Sequence, residues 1–83
     1  MNQTMTAVKD QIISLKKQGT QVARLIVFET KERRKVVNVV EFHIVEREGY
    51  LPPLTKAGKL SAFLRNALIE TLTDAADFRI DPV

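Results

Sequence analysis

Two neighbouring segments of this chain are rich in β-branched and aromatic residues, and each is apolar on both of its faces. Residues 21–30 (QVARLIVFET) and 36–46 (VVNVVEFHIVE) have the composition of β-strands. Successive side chains of a strand point to opposite sides, and in both segments apolar residues fall on either side. An antiparallel sheet with one solvated face alternates apolar and polar residues instead. The sequence therefore predicts that other parts of the protein cover each face.

Two further segments have the apolar periodicity of amphipathic helices. Residues 5–17 carry apolar side chains at spacings of three and four, so one face of this helix is apolar. An Asn or Thr among residues 2–6 would cap its beginning, and Gly19 would end it. Residues 60–72 show the same spacing and form a second, strongly amphipathic helix. Either each helix packs on a different face of the sheet, or one face meets a second protomer.

These elements predict one small α+β domain built on an antiparallel sheet of two to four strands. The charged connector 31–35 lacks glycine, so a four- or five-residue loop is expected between the first two strands. Residues 56–60 are either a short third strand or an irregular approach to the second helix. The single domain (1–83) is predicted to consist of an N-terminal helix (1–19), the sheet (20–60), a C-terminal helix (61–73) and a tail (74–83).

The small size of the chain and its two-sided strands predict a homodimer. A chain of 83 residues buries roughly 60% of its unfolded surface on folding, so its core is thin. The sequence has no Cys and therefore no disulfide, and small domains without such staples often gain core by oligomerising. The second helix, which carries the apolar Ile69 outside its stripe, is the first candidate for the interface.

No group of residues in the sequence has the composition of a catalytic or metal-binding site. His43 is the only histidine, and a metal ion would need further ligands beside it. Glu41 and His43 point to one face of the strand, but nothing near them supplies a nucleophile or an oxyanion hole. No apolar stretch reaches 18 residues, and residues 1–6 lack the features of a signal peptide. We therefore predict a cytoplasmic protein that is not an enzyme, holds no metal or cofactor and does not bind a membrane.

Three features of residues 22–72 occur together in a fixed order. Glu41 and Phe42 place an acidic residue before an aromatic one near the end of the second strand. After the turn at Gly49, prolines precede the segment TKAGKL (55–60), and one amphipathic helix follows directly. This order resembles the positive-cofactor-four family of single-stranded-DNA-binding transcriptional coactivators, which has a Pro-x-x-Lys-Gly-hydrophobic stretch before its helix.

The resemblance implies a curved antiparallel sheet and a helix through which two protomers dimerise, with melted DNA held in a groove between them. Lys56 and Lys59 match by position the connector lysines near the nucleic acid, and Arg24 and the loop 31–35 would add charge. The chain departs from the family because the N-terminal helix replaces its first strand and Ala57 interrupts the Lys-Gly pair. If that helix covers the DNA-binding face of the sheet, the fold is retained without the function.

The basic residues point to an anionic partner independently of the resemblance. The formal net charge is +3, four cations (Lys31, Arg33, Arg34 and Lys35) lie in one connector, and Lys56, Lys59 and Arg65 lie in another region. Together at one end of the sheet they would neutralise phosphates of a single strand, with Tyr50 as a platform for bases. The alternatives are a solvated turn beside Glu29 and Glu32, and packing of Tyr50 against Pro52 or Pro53. The predicted nucleic-acid-binding residues are Arg24, Lys31, Arg33, Arg34, Lys35, Tyr50, Lys56 and Lys59.

These observations favour a homodimer that binds single-stranded DNA or RNA in the manner of a transcription coactivator, without strict sequence preference. The alternative is a regulatory adaptor that binds another protein through its dimer surface, a sheet face or the C-terminal tail with Phe78 and Ile80. Clustering of basic side chains on one face would favour the first function, and scattered charges would favour the second.

Overall fold

The computed structural model describes residues 2–83 as a small α+β fold. In chain order its elements are α1 (Gln3–Lys17), β1 (Val22–Phe28), β2 (Val36–His43), α2 (Ala62–Leu68) and β3 (Asp77–Pro82). The strands form one antiparallel sheet in the order β2-β1-β3. The predicted fold class is confirmed at this level, because two helices accompany a three-stranded antiparallel sheet.

The first two strands pair antiparallel, as their composition predicted. Leu25 of β1 lies opposite Val40 of β2. The loop between the strands, residues 29–35, is longer than the predicted four or five residues, because β1 ends at Phe28 and leaves Glu29 and Thr30 in the loop. The Glu29 N–H closes this loop by donating to the Lys35 carbonyl at 2.9 Å, and Arg33 lies within it at a φ of 58°.

The C-terminal segment is a strand rather than the predicted tail. β3 pairs with β1 and places Ile80 opposite Leu25. Ile80 is buried, whereas Arg79 is exposed and Asp81 half-buried on the other side of the strand. This alternation is too short to stand out in the sequence, and Pro82 is tolerated because β3 lies at the edge of the sheet. The segment is therefore an edge strand of the sheet, with Ile80 buried in the core, rather than a tail.

Both helices pack on the same face of the sheet. The opposite face stays open in this chain: Val39 of β2 is 54% exposed, and Arg24 and Arg79 are exposed beside it. The prediction that both faces are covered is therefore fulfilled for one face only within residues 2–83. The core that fills the covered face contains Met5, Val8, Ile12, Leu15, Ala23, Leu25, Val27, Phe42, Leu64, Leu68 and Ile80.

α1 begins and ends at the residues that signalled its boundaries. Asn2 is the N-cap, and its Oδ1 accepts a hydrogen bond from the Met5 N–H at 2.7 Å. Its Nδ2 donates to the Leu72 carbonyl at 2.8 Å. At the other end Gly19 adopts a φ of 80°, a conformation that glycine reaches without strain. Asn2 thus begins the helix and also ties it to the segment after α2.

We expect Asn2→Ala to destabilise the protein by about 1–2 kcal/mol, because it removes both the cap and the bond to Leu72. Asn2→Asp retains the oxygen that accepts from Met5 but lacks the amide donor, so about half of that loss should remain. Urea unfolding followed by circular dichroism measures both variants. Equal stability of Asn2→Ala and the parent chain would contradict this account of the cap.

α2 is shorter than predicted, although its apolar side chains are buried as the pattern indicated. Leu60 lies before the helix in an isolated bridge with Leu54, and Leu72 lies after it in a turn. Both leucines are buried. Residues on either side of the helix therefore continue its apolar stripe without being helical themselves. The stripe faces the core of its own chain. Of the apolar residues predicted for a dimer interface on this helix, Ile69 remains available, at 61% exposed.

Residues 53–61 form a tight hairpin outside the sheet, which excludes a third strand at residues 56–60. The Thr55 N–H donates to the Lys59 carbonyl at 2.7 Å. Gly58 has a φ of 77°. Glycine adopts this left-handed conformation without strain and so closes the short loop, whereas a residue with a side chain would be strained there. This segment, the tip hairpin, holds Lys56 and Lys59 on a short and constrained loop.

Candidate nucleic-acid interface

Two of the predicted binding residues in the loop between β1 and β2 hold the loop onto β3. The Lys31 ammonium donates to the Ala76 carbonyl at 2.6 Å. The Arg33 guanidinium donates from Nε to Asp77 Oδ2 at 2.6 Å and lies 5.3 Å from the centre of the Phe28 ring. Both cations are therefore engaged within the chain, where they close the end of the sheet.

The other two cations of this loop are more exposed. Lys35 Nζ lies 3.5 Å from Glu29 Oε2, in a pair whose side chains are 69% and 58% exposed. Exposed pairs of this kind contribute little to stability. Arg34 is exposed and belongs to none of the ion pairs formed by residues 2–83. Of the predicted binding residues in this loop, Arg34 is therefore available to a phosphate, and Lys35 is available once its weak pair with Glu29 opens.

The pair between Arg33 and Asp77 makes stability depend on pH. The hydrogen bond from Arg33 holds the pKa of the Asp77 carboxyl below its usual value. A carboxyl whose pKa is lower in the folded state stabilises the fold above the unfolded pKa of about 3.9, and this contribution is lost as the pH falls through the folded pKa. The pair of Arg33 and Asp77 therefore stabilises the fold at neutral pH.

We expect Asp77→Asn to remove part of the loss of stability on acidification from pH 6 to pH 3. The change should be no more than about 1 kcal/mol, because the pair is partly exposed. Urea unfolding at the two pH values measures it. Asp74→Asn is the control, since Asp74 is exposed nearby and forms no ion pair within residues 2–83. The same pH profile for both variants would contradict the assignment.

Arg24 lies on the open face of the sheet, away from the tip hairpin. Its Nη2 donates to Glu41 Oε1 on β2 at 3.1 Å. On the other side of β1, Arg79 Nε lies 2.9 Å from Asp81 Oδ2. These two pairs balance the charge of the open face, so the face has no excess of positive charge to attract phosphates.

Lys56 and Lys59 lie beside α1, where they meet basic residues of both helices. A cavity of about 330 Å³ separates the tip hairpin from the C-terminal half of α1. A second cavity, of about 550 Å³, lies between the N-terminal half of α1 and α2. The two adjoin, because Gly58 lines one and Lys59 the other. We call this surface the basic groove and define it by Lys9, Lys16, Lys17, Lys56, Lys59 and Arg65.

The helical period explains why the lysines of α1 lie along the groove. Lys9 and Lys16 are seven residues apart, and Ile13 between them lines the same surface. The neighbouring positions Val8 and Ile12 point into the core. The sequence placed these lysines on the polar face of α1, but it did not show that the tip hairpin packs against that face. The helical lysines were therefore not among the predicted site residues.

Most cations of the basic groove have no acidic partner. Five ion pairs are formed within residues 2–83, and of the groove residues they include Lys9, which lies 3.7 Å from Asp10. The remaining groove cations, on α1, the tip hairpin and α2, belong to none of them. Since most other cations of the protein are paired or bonded to the backbone, the unpaired positive charge is concentrated in this groove.

The loop between β1 and β2 does not join this cluster. Lys31 lines a cavity with Gln3 and Thr4 at the beginning of α1, whereas Lys56 lies beside Lys16 at its end. A helix of 15 residues is about 22 Å long at about 1.5 Å per residue. The two connectors thus lie at opposite ends of the molecule, and the prediction that they meet at one end of the sheet is wrong.

Tyr50 packs against the only histidine of the chain. The centres of the Tyr50 and His43 rings are 3.9 Å apart at an angle of 44°. Arg47 lies 5.8 Å from the centre of the Tyr50 ring. Tyr50 remains 54% exposed, so one side of this aromatic pair is open to solvent.

No protein-family model matches this chain, no curated protein matches it, and no solved structure matches it. The resemblance to the coactivator family therefore stays a prediction. Within residues 2–83, no helix is long and apolar enough to cross a membrane. The same residues contain no group of three or more His, Asp or Glu side chains that could hold a metal ion.

Proposed function

We propose that this protein binds the backbone of single-stranded DNA or RNA along the basic groove. The observation that carries the proposal is the convergence of unpaired cations from three separate elements, namely α1, the tip hairpin and α2. Cations without acidic partners are available to phosphates, and each phosphate that they neutralise releases counterions. The proposal retains Lys56, Lys59 and Arg65 from the charge argument made on the sequence and adds Lys16 and Lys17.

The preference for single strands rests on the exposed aromatic pair beside the groove. Tyr50 can stack on a base only when that base is unpaired, and such stacking contributes to affinity without strict sequence preference. The groove itself is a cleft between a helix and a hairpin, so it follows one backbone rather than the two backbones of a duplex. That the chain is not an enzyme stays a prediction from its sequence.

The test is fluorescence anisotropy of a labelled oligothymidylate, titrated with the protein at 50 mM and 200 mM salt. With about four phosphates neutralised, the logarithm of the association constant should fall with a slope of about −3 against the logarithm of the salt concentration. This slope corresponds to a loss of affinity of about 50-fold between the two conditions. Binding that is insensitive to salt, or equally strong to a duplex of the same length, would overturn the proposal.

We also propose that the open face of the sheet binds a second copy of the chain. Val39 and Ile26 are apolar and at least partly exposed on this face, and the balanced charges of Arg24, Glu41, Arg79 and Asp81 surround them. In a two-fold dimer the same patch meets itself, so a neutral surface with equal numbers of both charges is complementary to its own copy. The interface predicted on α2 is less suitable, because its apolar stripe is already buried.

We expect this dimer to be weak. Three strands spaced about 4.8 Å apart, with a rise of about 3.4 Å per residue, make a face about 14 Å wide and about 24 Å long. This area is below the roughly 800 Å² per partner of a standard interface. Association should therefore become visible only at concentrations of tens of micromolar or above.

We expect Val39→Arg to keep the protein monomeric, because it places a charge in the apolar centre of the open face. Sedimentation velocity across a range of concentrations measures the shift of the parent chain from 9.4 kDa toward twice that mass. Ile69→Arg is the matched control, since it places the same charge on exposed α2. If Ile69→Arg dissociates the dimer and Val39→Arg does not, the interface lies on α2 instead. If the parent chain is monomeric at every concentration, the dimer is excluded.

A further inference from the structure

A cavity of about 340 Å³ lies at the edge of the sheet formed by β2. Its lining combines aromatic side chains with one carboxylate. His43 and Tyr50, which pack on each other, line it together with Phe63 of α2 and Glu41 of β2. The basic groove does not use these residues, and of them only the partly buried Phe63 packs against the core. Glu41 also borders the open face of the sheet, so a base in this cavity and a second copy on that face would compete for its carboxylate.

The aromatic wall offers a surface on which a flat ring can stack. Tyr50 is 54% exposed, and the neighbouring Leu51 is 65% exposed. The packing of Tyr50 on His43 fixes its orientation, so stacking costs little side-chain entropy. The Arg47 guanidinium lies over the Tyr50 ring, 5.8 Å from its centre, and supplies a cation next to this ring. An unpaired base with its phosphate has the shape and charge for such a surface.

The Glu41 carboxylate determines which base can form hydrogen bonds in this cavity. Glu41 accepts one hydrogen bond from Arg24, at Oε1, and an ionised carboxylate accepts further hydrogen bonds but donates none. Guanine presents two adjacent donors on its Watson–Crick edge, N1–H and N2–H₂, which match the two oxygens of a carboxylate. Thymine and uracil present one N–H between two carbonyl oxygens, and these oxygens repel a carboxylate.

We propose that this cavity, the base site, binds an unpaired guanine: Tyr50, which His43 holds in place, stacks on the base, and Glu41 accepts hydrogen bonds from its Watson–Crick edge. The proposal rests on the proposed function, since the groove supplies the strand. Leu51 lines the base site and Leu54 lines the groove. Three residues span at most about 10 Å, so a strand in the groove can place one of its bases in the site.

The first test compares oligothymidylates that carry one central guanine, inosine or thymine, by anisotropy. We expect the guanine to bind about tenfold more tightly than thymine, as a good bidentate contact allows. Inosine lacks the N2 amino group and should bind with intermediate affinity. Glu41→Gln should bring the ratio of guanine to thymine affinities close to one. Equal affinity for all three oligonucleotides would overturn the base site while leaving the groove intact.

The second test detects the base site without the groove. The chain has one His and one Tyr, so their aromatic NMR signals report on His43 and Tyr50 directly. Guanosine monophosphate should shift both signals at millimolar concentration, and uridine monophosphate should shift them less. If both nucleotides shift the signals equally or not at all, the base site is excluded. Shifts by guanosine monophosphate in a protein that binds no oligonucleotide would retain the base site and exclude the proposed function.

Discussion

Reversing two charges in the basic groove is expected to weaken binding to a labelled single-stranded oligonucleotide by on the order of 100-fold or more at low salt. The variant is Lys17→Glu with Lys56→Glu, which changes α1 and the tip hairpin on either side of one cavity. In water each reversal replaces an attraction of about 1 kcal/mol with a repulsion of similar size. Screening by salt reduces this effect, so the loss should shrink as ionic strength rises.

The matched control is Arg34→Glu with Lys35→Glu. It changes the net charge by the same amount, at the other end of α1, and it breaks one exposed ion pair that contributes little to the fold. We expect it to weaken binding by less than about tenfold, through the long-range field alone. Equal losses in the two double variants would mean that net charge drives binding, and the groove would no longer be the site.

Both double variants change exposed side chains, so neither should lower the stability of the protein by more than a few tenths of a kcal/mol per site. Thermal unfolding followed by circular dichroism checks this condition before affinities are compared. A loss of affinity in a variant that unfolds at the same temperature as the parent chain then reports on the groove itself.

The sequence predicted the elements that have a long and regular pattern. α1 has an apolar stripe over four turns and a cap at each end, and β1 and β2 are dense in β-branched residues. β3 escaped because six residues with three charges and a proline carry too little periodic signal. Without β3, the composition of the two sheet faces could not be predicted. The pairing of β3 with β1 is what places Arg79 and Asp81 on the open face and buries Ile80 on the other.

The sequence showed where the cations are but not which of them have partners. Lys31 and Arg33 are held by residues more than forty positions away in the chain, and no local pattern reveals such contacts. Conversely, Lys16 and Lys17 read as an ordinary helix ending, where they suit the dipole. Their proximity to Lys56 depends on how the tip hairpin folds back onto α1, which is a property of tertiary packing alone.

The sidedness of the sheet has a consequence for stability that two adjacent residues can test. Leu25 and Ile26 are neighbours on the central strand, and Leu25 is fully buried while Ile26 is half-buried on the open face. We expect Leu25→Ala to cost about 3–4 kcal/mol in the free energy of unfolding, because it removes buried methyl groups and leaves a cavity. In a domain of marginal stability this is a large fraction of the total.

Ile26→Ala is the matched comparison, since it shortens a similar side chain on the same strand. In dilute solution it should cost no more than about 1 kcal/mol, because the residue loses contacts on one side only. If a second copy covers the open face, the cost should rise with protein concentration, since dimerisation then contributes to the stability of the folded state. Urea unfolding at low and high micromolar concentrations separates these cases. The two substitutions could instead lower the free energy of unfolding equally at every concentration. The open face would then be covered within the chain itself. In that case, both the one-sided packing of the sheet and the proposed dimer would have to be abandoned.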